Sequence, residues 1–388
     1  MAKWITVFAD APRGGKIGVC DLSDRTIRLD IRVNVTGSQL RMRFGNRYGV
    51  ELMQIGGVTV WNGSHGKRVT FDGKDGVELA VGEVTTSDVL DFTVQAGDTL
   101  RVLLYFPSGC PVPRSVSATF GTVHSQPGDY TDQPDFVPAE DALRAPFPFP
   151  LPEPLPGLTA IDLFTDSDAK AIIAFGDSIT EFSTWTIPLA QRLADKYPGR
   201  AALLNLGIGG NRLLMDTTPG FAETAGNMFG DAGIKRADWD IFEHQGVDCV
   251  LFALGINDVS QPGSSDEAPP LSERITTEAF VQAVSGLADR LHQKKIRIIG
   301  CAITPFGGMG GCCEETMQQR LEVNHWLKKA AGEGILDGYI DFASVVDDPA
   351  NPGYLLAECD CGDHLHPSPA GGKRMSDAIE LEKLMEQH

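Results

Sequence analysis

Residues 172–182, "IIAFGDSITEF", set an unbroken apolar run against Gly176-Asp177-Ser178. Ile172, Ile173, Ala174 and Phe175 offer no polar face, which suits a strand covered on both sides, as in a parallel sheet. Gly, Asp and Ser all favour turns, each for its own reason. A turn at the end of such a strand would also present Ser178 as a nucleophile. The serine alone does not choose between these readings. A base, a group to orient it and donors for an oxyanion must come from elsewhere in the chain.

Working outward, the same texture recurs in "AALLNLG" (201–207), "DCVLFALG" (248–255), "IRIIGCAI" (296–303) and "GYIDF" (338–342). Helical patterns lie between and after these runs: "WTIPLAQRLADKY", "TTEAFVQAVSGLADRLHQKK", "EETMQQRLEVNHWLKKAAGE" and "SPAGGKRMSDAIELEKLMEQ". Apolar strands alternating with amphipathic helices predict βαβ units and a doubly wound parallel sheet, whose ligands sit beyond the carboxyl ends of the strands.

The first third of the chain reads differently. "RTIRLDIRVNV" places Ile27, Leu29, Ile31, Val33 and Val35 on one face, and "QLRMRFGNRYG" repeats the alternation through Leu40, Met42 and Phe44. "GGVTVWNG", "VLDFTV" and "DTLRVLLYF" follow, separated by Gly, Asp and Asn. Short alternating strands with regular turns predict an antiparallel β-sandwich. The proline-dense stretch "FVPAEDALRAPFPFPLPEPLP" can form neither a regular helix nor a central strand. The expected organisation is therefore a sandwich over 1–136, a semi-rigid linker over 137–168 and an α/β domain over 169–388.

Four polar clusters follow the apolar runs or precede the last helix: Gly176-Asp177-Ser178, Ile208-Gly209-Gly210-Asn211, Gly255-Ile256-Asn257-Asp258, and "CGDHLHPSPAGG" with Asp363 and His366. Each supplies a part that acyl transfer needs. Ser178 is the candidate nucleophile and His366 its base, while Asp363, three positions before the histidine, is placed to fix the imidazole tautomer. Gly210 has no side chain to obstruct its N–H, Asn257 adds a side-chain N–H, and the N–H of Ser178 makes a third oxyanion donor. His364 is the rival base, but the carboxylate at i−3 and the following Pro367 favour His366. Asp177 and Asp258 read as turn braces, Arg212 as a salt-bridge former or a hold on a polar substrate group, and Trp185 as core or as a shelf for an acyl or sugar ring.

These residues resemble the SGNH/GDSL hydrolases, whose four marker residues fall here on Ser178 in "FGDSIT", Gly210 in "GIGGN", Asn257 in "GIND" and His366 in "DHLHP". The resemblance covers roughly residues 170–380. "LRMRFGNRYG", "PGDY", "GIGGNRLL", "ITPFGG" and "GDHLHPSPAGG" extend it to GDSL esterases that carry an N-terminal β-sandwich (jelly-roll-like) domain. It implies a three-layer α/β/α fold and Ser-His-Asp catalysis without a Gly-x-Ser-x-Gly elbow, a motif this chain lacks. Here the motif reads GDSI rather than GDSL, which leaves the nucleophile in place. Members of the group act on acetylated or aryl-acylated sugars, simple esters and lysophospholipids.

Composition bounds the partners. Hydrophobic residues at 42% and charged residues at 22% describe a globular protein, and a net charge of −19 disfavours nucleic acid and anionic lipid. A small-molecule or oligosaccharide ester fits that surface better than a polyanion. "MAKWITVFADAP" does not read as a signal peptide and no window approaches a membrane span, so a cytoplasmic protein is expected. Cys312-Cys313 and Cys359-Asp-Cys361 lack zinc-site spacing and are expected to be reduced. The expected activity is a serine esterase acting through an acyl-enzyme on short-chain or aryl-acyl esters of carbohydrates or simple alcohols, with no metal and no cofactor. The alternatives are a lysophospholipase or thioesterase, a non-catalytic carbohydrate-binding protein, and a metal-dependent phosphoesterase, for which only Asp177, Asp258 and Asp363 lie at strand ends.

Overall fold

Two kinds of sheet divide the chain, as its two hydrophobic periods require. The computed structural model describes residues 2–14, 20–108, 111–112, 121–138, 157–266 and 268–386. In the first part, one antiparallel sheet runs in the order Lys3–Ala9, Leu158–Thr165, Gly37–Gly45 and Leu90–Val94, with Val84–Thr86 also paired to Gly37–Gly45. A second antiparallel sheet runs Gly121–Pro127, Arg25–Arg32, Thr99–Phe106, Gly57–Asn62 and His65–Val69. Leu40, Met42 and Phe44 on the first sheet and Ile27, Leu29 and Ile31 on the second alternate inward and join one buried apolar cluster. In the second sheet Val102 stands in register with Leu29 on one side and Val60 on the other, so one apolar row crosses three strands.

Leu158–Thr165 corrects the expected linker over 137–168. This strand lies inside its sheet, paired with Lys3–Ala9 on one edge and Gly37–Gly45 on the other. The proline-dense composition stops at Pro156, and "LTAIDLFT" that follows carries a full set of backbone donors and a buried apolar face through Leu158, Ala160, Ile161 and Leu163. The chain thus returns to the sandwich before entering the next domain. Residues 139–156 of the expected linker lie outside the described residues.

The second part is a three-layer α/β/α domain. Its five-stranded sheet has the order Ala201–Gly207, Lys170–Gly176, Val247–Ala253, Arg297–Cys301 and Gly338–Ile340, every neighbouring pair parallel. The helix Thr186–Lys196 packs with Pro369–Asp377, and Thr277–Gln293 packs with Glu314–Gly332. The last helical pattern in the sequence breaks into two, Pro369–Asp377 and Leu381–Met385. Strand order reverses beside Lys170–Gly176, so the connections leaving that strand and Val247–Ala253 diverge and open a crevice at their carboxyl ends. Ser178 and Asn257 stand at that switch point. Among the described residues no helix is long and apolar enough to cross a membrane.

The two parts meet along the first strand. Thr6 N–H donates to the Gln245 carbonyl at 3.0 Å, and Gln245 N–H donates to Thr6 Oγ1 at 2.8 Å. Thr6 Oγ1 in turn donates to Asp162 Oδ1 at 2.7 Å. Thr6 is fully buried, so Thr6→Val keeps the shape but strands the buried Asp162 carboxylate and the half-buried Gln245 N–H. The expected loss is about 1–3 kcal/mol, read as a lower urea midpoint. An unchanged midpoint would show that these bonds contribute nothing net.

Candidate active site

The strand Lys170–Gly176 is buried along its whole length and stops at Gly176. Asp177 caps the short helix Ser178–Glu181 by accepting from Ile179 N–H at 3.0 Å, which fixes the turn that carries Ser178. On the opposite side, the hairpin-like loop between Cys359 and Ser368 is closed by the bonds Cys361 N–H to His366 O (3.1 Å) and Ser368 N–H to Cys359 O (2.7 Å). Ser368 then caps the helix Pro369–Asp377 by accepting from Gly371 N–H.

These two supports bring the serine, histidine and aspartate together across 188 positions of sequence. His366 Nε2 lies 2.7 Å from Ser178 Oγ, and His366 Nδ1 lies 2.6 Å from Asp363 Oδ2. Asp363 Oδ1 also accepts from the backbone N–H groups of Leu365 (3.0 Å) and His366 (2.8 Å), so the carboxylate is anchored to its own turn. Partial burial works to raise the Asp363 pKa, but the His366 ring and these N–H donors outweigh it and hold the carboxyl down to about 2. A charged acceptor on Nδ1 keeps the proton there and leaves Nε2 free to take one from Ser178. His364 turns away: it is exposed, at φ 64°, with Nδ1 2.7 Å from Asp360 Oδ2.

The loop after the strand Ala201–Gly207 faces the serine. Gly210 has φ 72°, and a Cβ there would fall 2.4 Å from the Phe229 ring, so both the backbone angle and the aromatic neighbour require glycine. Asn257 Nδ2 donates to Asn211 O at 3.0 Å, while its Oδ1 accepts from Gln261 at 2.9 Å, an arrangement that fixes which end of the amide faces the loop. Among the described residues, the backbone N–H groups of Ser178 and Gly210 have no protein partner. Ser178, Gly210 and Asn257 thus follow three separate strands, Lys170–Gly176, Ala201–Gly207 and Val247–Ala253.

The secondary expectations resolve as follows. Asp258 is buried and takes Leu213 N–H on both carboxylate oxygens at 2.9 Å, so it braces the loop that follows Gly210. Arg212 is buried in an ion pair with Glu273 at 2.8 Å and is not presented to substrate. Trp185 is fully buried against Phe342, with ring centroids 5.2 Å apart, and is core. Cys249 and Cys301 are buried strand residues, and Cys312, Cys313, Cys359 and Cys361 are free thiols. Cys361, Asp363 and His366 bring a thiol, a carboxylate and an imidazole within 4.8 Å of one another, a donor set able to take a soft divalent ion at the expense of the Asp363–His366 bond.

Several residues of the site escaped the sequence reading. Phe182 is 55% exposed and its ring centroid lies 4.7 Å from that of His366. Phe221 stacks on Phe229 at 4.8 Å. Glu181, one turn after the serine, accepts from Gly209 N–H at 2.6 Å and pairs with Arg13 of the N-terminal part. The i+3 spacing from Ser178 was a readable signal for Glu181; nothing local pointed to Arg13.

A model of the GDSL-like lipase/acylhydrolase family matches residues 174–374, a little more than half of the chain. Solved structures similar to this chain include a GDSL-like lipase from Bacteroides thetaiotaomicron (15% identity, 55% of this chain and 88% of that one, TM-score 0.40). Another is a variant of an acetyl-xylooligosaccharide esterase from Geobacillus stearmophilus (16% identity, 58% and 98%, TM-score 0.40). No curated protein matches the chain.

Burial makes the pH response of the site specific. Desolvation pushes the Asp177 carboxyl up to about 7, against the Ile179 N–H that favours its charge, and pushes Asp258 up to about 6. A carboxyl raised in the folded state contributes stability that is complete below about pH 4 and lost as pH rises through the folded value. Asp363, held down, has the opposite sign in a lower window, with stability lost as pH falls toward about 2. Asp177→Asn keeps the cap and removes the titration. Its unfolding free energy should therefore fall less between pH 5 and pH 8 than that of the wild type in urea titrations; equal slopes would place the pH dependence elsewhere.

Proposed function

The chain belongs to the GDSL-like lipase/acylhydrolase family, and on that premise we propose that it is a serine esterase that cleaves short-chain or aryl-acyl esters of carbohydrates or simple alcohols through an acyl-enzyme. The observation that carries the mechanism is the continuous contact Ser178 Oγ, His366 Nε2, His366 Nδ1, Asp363 Oδ2, at 2.7 Å and 2.6 Å. Ser178 attacks the ester carbonyl as His366 takes its proton. The oxyanion forms facing the N–H groups of Ser178, Gly210 and Asn257. His366 then gives the proton to the departing alcohol, and water, deprotonated by the same imidazole, releases the acid.

Aromatic rings support the substrate reading. Phe229 fills the space over Gly210, which favours a short acyl group beside the oxyanion donors. Exposed Phe182 beside His366 offers a flat apolar face on which a sugar or aryl ring of the alcohol can stack.

Hydrolysis of p-nitrophenyl acetate, butyrate, octanoate and palmitate tests this directly. The acetate and butyrate esters should turn over fastest. Ser178→Ala should lower kcat roughly a thousandfold or more. Asp363→Asn should lower it roughly a hundredfold, since the half-exposed position lets water replace part of the lost charge. A maximum on octanoate or palmitate would transfer the acyl assignment to long chains. Wild-type turnover in Ser178→Ala would remove the nucleophile from the account, and glycan affinity with no turnover in either protein would favour a binding module.

A further inference from the structure

Glu181 sits under the oxyanion loop with its side chain only 4% exposed. Its Oε2 accepts from Gly209 N–H at 2.6 Å, and a Cβ at Gly209 would fall 2.7 Å from that oxygen. The loop therefore rests directly on the carboxylate, one residue before Gly210. A buried carboxylate needs a counter-charge. Arg13 supplies it, with Nη2 2.8 Å from Oε1 and Nη1 3.5 Å from Oε2, the Arg13 side chain itself 9% exposed. Arg13 belongs to the arm that continues the first strand of the sandwich, Lys3–Ala9.

The arm is held at the domain junction. Gly14 lies against Tyr48 of the sandwich and Asn227 of the α/β domain, where a Cβ would fall 3.3 Å and 3.4 Å from their Cβ atoms. Tyr48 Oη donates to Asp231 Oδ2 at 3.0 Å, and the Asp231 carbonyl accepts from Asn211 Nδ2 at 2.8 Å. The sandwich thus reaches the residue on each side of Gly210: Gly209 through Arg13 and Glu181, and Asn211 through Tyr48 and Asp231.

We propose that the N-terminal β-sandwich completes the ester-cleaving site, with Arg13 as a positioning residue that holds the Glu181 carboxylate against Gly209 N–H and so aims the N–H of Gly210. The inference rests on the Ser178 mechanism above. The charged groups facing Glu181 are Arg13 from the arm and Arg236 from the helix Gly233–Asp240. Burial raises the Glu181 pKa, and Arg13 and the Gly209 N–H oppose it. Without Arg13 the carboxyl takes up a proton, and the charge-assisted bond to Gly209 becomes a neutral one of about half the strength. Activity then depends on pH through Glu181, recovering as pH rises and the carboxylate re-forms.

The test is kcat and KM on p-nitrophenyl acetate from pH 5 to pH 9 for full-length wild type, Ser178→Ala, Arg13→Ala, Arg13→Lys, Glu181→Gln and the Arg13→Ala/Glu181→Gln double variant. Arg13→Ala should lose roughly tenfold to a hundredfold in kcat at neutral pH, below the cost of deleting an oxyanion donor outright, with KM little changed. It should also gain a limb in which kcat rises with pH. Arg13→Lys should recover most of the loss. Glu181→Gln should be slow at every pH without that limb, and the double variant should be no slower than Glu181→Gln. The proposal is overturned if Arg13→Ala keeps kcat within twofold of wild type, if no new limb appears, or if the two losses multiply. Should Arg13→Ala not fold, Arg13→Lys and Glu181→Gln carry the same decision: near-wild-type kcat in the first and a pH-independent loss of roughly tenfold or more in the second support it, and any other pair overturns it. Turnover surviving in Ser178→Ala would instead overturn the mechanism on which the inference rests.

Discussion

One buried guanidinium, that of Arg236, ties together the strand ends on which the site is built. It donates to the Gly176 carbonyl at 2.8 Å, to the Leu206 carbonyl at 2.9 Å and to Asn211 Oδ1 at 2.9 Å, and it pairs with Asp240 at 2.6 Å. Its central carbon also lies 4.0 Å from the centre of the Phe175 ring. Burying a charge is costly unless it is paired and its donors are used, and here they are. The consequence is geometric. Gly176 ends the strand that leads into Ser178, Leu206 is next to last in the strand that leads into Gly210, and Asn211 lies in the loop beyond it, bonded to Asn257.

The rest of the site hangs on that frame through short polar links. Asn205 donates to the Thr180 carbonyl at 2.6 Å and to Thr186 Oγ1 at 3.0 Å, joining the serine helix to the neighbouring strand. Asp258 holds Leu213, and Asn257 holds Asn211. Donors fixed in this way need little reorganisation when charge develops on an ester oxygen, which is the main source of rate in acyl transfer. His366 and Asp363 are the exception. They stand on a loop with solvent at its edge and are ordered mainly by each other and by the turn they occupy. Rigid donors and a more exposed base suit a reaction in which the base moves protons between the serine, the alcohol and water.

Periodicity makes both folds legible in the sequence. Ile27, Leu29 and Ile31 alternate because one face of their sheet is covered, and Ile172 to Phe175 do not alternate because both faces of theirs are. The four polar clusters were legible because each follows a strand or opens a helix, so their order along the chain maps onto one end of the sheet. The carboxylate of Asp363 at i−3 and the following Pro367 single out His366 over His364. Other features depended on pairings that no window contains. The strand Leu158–Thr165 hid at the end of a proline-dense stretch, and only its partners Lys3–Ala9 and Gly37–Gly45 reveal it. Arg236 was one arginine in a helix of ordinary composition until three distant acceptors surrounded it. Arg13 meets Glu181 across 168 positions, a separation at which sequence pattern carries no distance information.

The central claim is that Ser178 becomes covalently acylated with His366 as its base. Mass spectrometry of the protein after incubation with a fluorophosphonate, followed by peptide mapping, tests it without reference to any substrate. The account predicts a single adduct on the peptide that carries Ser178, formed far more slowly in His366→Ala. An adduct on a different residue, or ester turnover that persists in a protein fully modified at Ser178, would contradict it.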